Sequence, residues 1–98
     1  MGIAIAIQDA HHTQVELITR YDSDALVDMI SSAPSGSLID CIHLYADTMY
    51  NSHQLKFLLD ELSNSNYELD REKEVTSILR RAAESAIRQR GYLWFSGD

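Results

Sequence analysis

Basic residues are scarce in this chain. Eight lysines and arginines stand against fifteen aspartates and glutamates over 98 residues, a net charge of −7. A surface of that sign is repelled by phosphate backbones, which argues against direct nucleic-acid binding. Cysteine occurs once, as Cys41 in an apolar run, so no internal disulfide can form. A reducing cytoplasm is the expected compartment, with Cys41 as a small core hydrophobe. No apolar run approaches the ~20 residues that a membrane-spanning helix needs, so no membrane span is expected. The opening MGIAIAIQ has neither the basic flank nor the small-residue cleavage site of a secretory signal, and Gly2 is not followed by the Ser or Thr of a myristoylation signal. Catalytic signatures are missing too. There is no G-x-S-x-G elbow, and the spacings of His11, His12, His43 and His53 match no zinc pattern. Neither catalysis, a metal nor another cofactor is expected.

What is present is an ordinary globular composition, 45% apolar and 23% charged, in a length that supports one core. Residues 1–98 are therefore expected to form a single domain. Ile3, Ile5 and Ile7 alternate with Ala4 and Ala6, the period of a strand. After the polar QDAHHT, Val15, Leu17 and Thr19 alternate with polar neighbours, a second strand that completes a hairpin. Asp22 or Ser23 caps a short helix with Leu26, Met29, Ile30 and Ala33 on one side, ended by Pro34 and Gly36. SLIDCIHLY, apolar on both faces apart from Asp40 and His43, reads as a central strand. That places His43 on the sheet.

Asn51 or Ser52 then caps a helix whose face is Leu55, Leu58, Leu59 and Leu62. From about Asp70 a longer helix carries Val75, Ile78, Leu79, Ala82, Ala86 and Ile87 on one side, with Glu84 and Arg88 spaced for an ion pair and Gly91 as its stop. YLWF is a last strand. The order β-β-α-β-α-α-β predicts an α+β domain, a roughly four-stranded sheet with its helices packed on one face.

Between the apolar run and the leucine helix lies YADTMYNS. Asp47, Thr48 and Asn51 there are capping and turn residues, with no nucleophile–base pair and no glycine beside them. The charge is uneven: residues 1–70 hold eleven acids and two bases, a balance of −9, and residues 71–98 a balance of +2. Acids in the front part occur beside tyrosines, in the set Asp22, Asp24, Asp28, Tyr45, Asp47, Tyr50, Asp60 and Glu61. Tyrosines are over-represented at binding hot spots, and an anionic surface steers a cationic partner toward it. These eight are the candidate partner-binding residues. Asp60 and Glu61 leave the leucine face and must meet solvent or a partner.

YADTMYNSHQLKFLLDEL resembles the D-T-x-x-N segment and leucine-rich helix of a group of small bacterial proteins. GYLWFSGD resembles their terminal aromatic strand ending in Gly-Asp, and the MGI opening fits as well. Such small acidic chains look like immunity proteins of contact-dependent growth inhibition and related polymorphic toxin systems. The resemblance implies a cytoplasmic toxin inhibitor, acting by protein–protein interaction, that neutralises a basic toxin domain, commonly a nuclease. It carries over no catalytic residue. A second reading of the residues is a non-catalytic homodimeric regulatory or structural module, with YLWF as an edge strand that pairs with its twin.

Overall fold

The structure, a computed structural model, describes residues 2–97. Met1 of the opening strand and Asp98 of the terminal Gly-Asp lie outside the described residues. The elements are β1 (Ala4–Gln8), β2 (Gln14–Ile18), α1 (Ser23–Ser32), β3 (Asp47–Asn51), α2 (Ser52–Asn64), α3 (Asp70–Arg88) and β4 (Tyr92–Ser96). They realise the order and fold class that the sequence predicts.

The sheet order is β2-β1-β4-β3, antiparallel throughout. Ile5 and Ile7 of β1, Leu93 and Phe95 of β4, and Tyr50 of β3 point to the same side, where they join Leu26 and Met29 of α1, Leu55 and Leu58 of α2, and Val75 and Leu79 of α3 in one core. Helix α3 lies over the two central strands. Its core side is largely alanine (Ala82, Ala83 and Ala86, all 0% exposed), which lets the helix axis come close to the sheet.

Local signals explain each boundary. The β1–β2 hairpin turns on Asp9, whose side chain accepts the His11 and Thr13 N–H groups at 2.8 and 3.0 Å, with His12 in the left-handed region at φ 63°. Those two hydrogen bonds to the charged form hold the Asp9 carboxyl below its ordinary pKa. Asp22 caps α1 by accepting from Ala25 N–H. Asn51 and Gln54 form a reciprocal capping box on α2, each side chain serving the other's backbone N–H at 2.9 Å.

Several sequence expectations are corrected. SLIDCIHLY is not a strand: residues 37–46 form turns, with Cys41 N–H bonded to the Ser37 carbonyl and Ile42 N–H to that of Ile39. Ile39 and Ile42 still reach the core (2% exposed each), so the segment is apolar because it plugs the core from one side. Cys41 is consequently exposed rather than a core hydrophobe. His43 is off the sheet, with its N–H donated to Thr48 Oγ1 at 2.8 Å. The third strand is DTMYN itself. β4 is not an edge: it is hydrogen-bonded on both sides, to β1 and β3, so YLWF cannot pair with a twin. Among the described residues the ion pairs are Arg71–Asp28 and Arg81–Glu16, and Glu84–Arg88 is not one. Gly91 does close α3, its N–H reaching the Ala86 carbonyl at 2.9 Å, but the left-handed position falls one residue earlier, on Arg90 at φ 54°.

Candidate functional site: an acidic groove between two helix ends

The turn segment after α1 is tied to α2 by one side chain. Glu61 accepts the Leu38 N–H at 2.8 Å and the Ile39 N–H at 3.3 Å, while Tyr50, from β3, donates its hydroxyl to the Leu38 carbonyl. A carboxylate and a phenol thus satisfy backbone groups that no strand partner reaches. Burial pushes the Tyr50 hydroxyl pKa up, with smaller contributions from Cys41, Glu61 and Asp40. Tyr21 makes a comparable tie by donating to the Ile3 carbonyl, and burial raises it to about 12, partly offset by a hydrogen bond with Ser23.

Both shifts have the same sign for stability. The folded chain keeps these protons at a pH where the unfolded chain, with tyrosine near its ordinary value of about 10, has released them. Stability from this source is complete below about pH 10 and falls as pH rises through about 12 for Tyr21. Thermal melts from neutral to strongly alkaline pH should show that decline, and Tyr21→Phe should flatten it. An unchanged alkaline limb in the variant would mean that Tyr21 contributes no linkage.

With the turn segment pinned, a groove opens between the end of α1 and the C-terminal half of α2. One hollow, about 360 Å³, lies among Pro34, Ile39, Phe57, Asp60, Glu61 and Tyr67. A second, about 570 Å³, continues past Tyr67 to Glu68, Leu69 and Glu72. The two share Ala33, Pro34, Asn64, Ser65 and Tyr67 as lining residues and so form one trough. Large apolar side chains mark its ends, Phe57 at 55% exposed and Leu69 at 53%. Four carboxylates line it (Asp60, Glu61, Glu68 and Glu72), and its lining includes no lysine, arginine or histidine. An apolar floor with carboxylates and no cation suits an extended, positively charged protein segment.

The eight sequence candidates do not share one surface. Asp60 and Glu61 meet in the groove. Asp22 is used as a helix cap, and Asp28 pairs with Arg71. Asp24 is exposed in the first turn of α1, and Asp47 is exposed at the start of β3. Tyr45 is 63% exposed, in the turn segment outside the groove lining. Tyr50 is the clear correction: at 4% exposed it is a core residue that no partner can touch in the folded chain. The D-T-x-x-N segment likewise builds structure, as β3 and the cap of α2. Sequence reasoning missed Phe57, Glu68, Leu69 and Glu72. One signal was readable for Phe57, which is off the leucine stripe of its helix and therefore turned outward.

No protein-family model matches the chain, and no curated protein or solved structure matches it either. Among the described residues no group of three His, Cys, Asp or Glu side chains is placed to hold a metal ion, and no helix is long and apolar enough to cross a membrane.

Proposed function

We propose that the chain is an immunity protein: a non-catalytic inhibitor that binds a basic bacterial toxin domain in the cytoplasm and neutralises it. The observation that carries this reading is the trough from Phe57 to Leu69, with four carboxylates and no cation in its lining. A nuclease toxin suits it best, because a site that holds phosphates must itself be cationic. Phe57 and Leu69 supply apolar anchors, and the carboxylates set register and speed the encounter. The acidic chain as a whole disfavours a nucleic-acid partner. The likeness of its D-T-x-x-N and GYLWFSGD segments to small immunity proteins supports the same reading.

The test is to search the reading frames beside this chain's gene for a toxin domain and to co-express the two, followed by titration of the purified pair. Growth should be rescued, and affinity should fall roughly tenfold or more between low and high salt, as expected when partly exposed charge pairs drive association. Tight binding that ignores ionic strength would sink charge as the recognition device. No growth rescue would sink the function.

A further inference from the structure

The connection between α2 and α3 forms one wall of the trough, and a different hollow opens beside it. This hollow, about 250 Å³, shares Ser65, Asn66 and Tyr67 with the trough. Its charge is reversed. Lys73 and Arg80 line it together with Ser63 and Thr76, and no aspartate or glutamate does. The two cations stand seven residues apart on one face of α3, about 10 Å along its axis. Arg80 is half-buried and donates to Ser63 Oγ at 3.2 Å. Neither cation has a carboxylate within ion-pair distance among the described residues, although fifteen acids stand against eight bases in the chain. Arg71 and Arg81 of the same helix do have one each, in Asp28 and Glu16. The end of α2 accounts for one cation, since a helix C-terminus attracts positive charge. It does not account for two. Lys73 follows directly on the first turn of α3, where the dipole favours acids such as Asp70 and Glu72.

We propose that the protein segment bound in the trough is bipolar: its basic residues lie along the trough, and a carboxylate on the same segment reaches over residues 65–67 to Lys73 and Arg80. The inference rests on the trough as the binding site and names what its occupant carries. A carboxylate meets two unpaired cations there, and the Ser63 hydroxyl, which accepts from Arg80, keeps its own proton to donate. A lone anion is not drawn to a chain of net charge −7, so the carboxylate arrives in the company of basic neighbours that the trough attracts. A segment with basic residues alone sets like charge against Lys73 and Arg80, which costs it affinity. The pair of hollows thus discriminates among basic proteins. It rejects a segment that lacks the acid or carries it at the wrong end, and the two signs together fix the direction in which the segment lies.

Three synthetic heptapeptides with blocked ends test this on the whole chain, by titration at low salt followed through amide chemical shifts. The reference is Gln-Lys-Leu-Lys-Leu-Lys-Gln, and the other two replace its first or its last glutamine with glutamate. Net charge alone predicts that both glutamate peptides bind an acidic protein more weakly than the reference. One of them should instead bind roughly threefold or more tighter, as an exposed charge pair allows, and should shift the amides of Ser63 and Thr76. On the double variant Lys73→Gln, Arg80→Gln that advantage should vanish while the reference peptide binds at least as well as before. Two glutamate peptides that both bind more weakly than the reference would overturn the proposal, and so would an advantage that survives the double variant. The trough reading fails by a different result: a reference peptide that binds Asp60→Lys as tightly as the parent. Binding by none of the three peptides would overturn both.

Discussion

Gly91→Ala is expected to cost the chain a large share of its stability. A Cβ built on Gly91 would lie 1.9 Å from the Gln8 carbonyl oxygen and 2.7 Å from the Asp9 Cα, and all of these obstacles are backbone. Gln8 ends β1 and Asp9 organises the hairpin turn, so neither can move without opening the two central strands. Gly91 also closes α3. Its N–H reaches the Ala86 carbonyl at 2.9 Å while Arg90 N–H reaches that of Ile87 at 3.0 Å, a Schellman pair in which arginine takes the left-handed position usually given to glycine. The glycine is therefore required for close approach, whereas the positive φ belongs to its neighbour. A backbone clash of this depth belongs with the rare substitutions costing about 4 kcal/mol or more, against a total stability of roughly 5–15 kcal/mol. Urea titration followed by circular dichroism measures it. Arg90→Gly is the control, with the fold intact. A Gly91→Ala chain that melts like the parent would show that β1 yields more easily than its hydrogen-bonded position implies.

The same pairing of strand and glycine shows what the sequence made legible. Helices α2 and α3 were readable to within a residue or two, because their apolar residues follow a 3.6 period and Asn51 and Gln54 mark a start. The β1–β2 hairpin was readable from alternation. The third strand was not. SLIDCIHLY looks like a central strand because it is apolar throughout, yet its side chains reach the core from consecutive turns. DTMYN looks like punctuation because an edge strand with an uncovered face has only two side chains, Thr48 and Tyr50, turned toward the core. YLWF was readable as a strand but looks like an edge; its place between β1 and β3 depends on long-range pairing that its composition does not show. For the groove, charge alone misled: of the acids near the front of the chain, some are consumed by caps, an ion pair and turn backbone. Only the packing of α3 against both α1 and α2 brings Glu68 and Glu72, at the entry to α3, into line with Asp60 and Glu61.

Glu61 and Asp60, adjacent in sequence, are expected to separate stability from binding. Glu61→Ala removes the acceptor for the Leu38 and Ile39 N–H groups, which then have no protein partner in the plug beneath the groove. Hydrogen bonds to a charged group are worth about 1.5–3 kcal/mol, and because Glu61 is half-buried, so that water can recover part of that, the expected loss is near the low end, about 2 kcal/mol. The groove should suffer with it, since Ile39 forms part of the floor. Asp60 is exposed and makes no hydrogen bond or ion pair among the described residues, so Asp60→Lys should move stability by no more than about 0.5 kcal/mol. Its effect should fall on recognition: reversing one carboxylate of four slows the encounter with a cationic partner and lowers affinity by about tenfold at low salt, with the deficit shrinking as salt rises. Urea melts and titrations with the basic toxin domain read the two effects separately. Equal binding by Asp60→Lys and the parent at low ionic strength would move the partner surface away from this groove. A Glu61→Ala chain as stable as the parent would remove the carboxylate from its role in holding the turn segment.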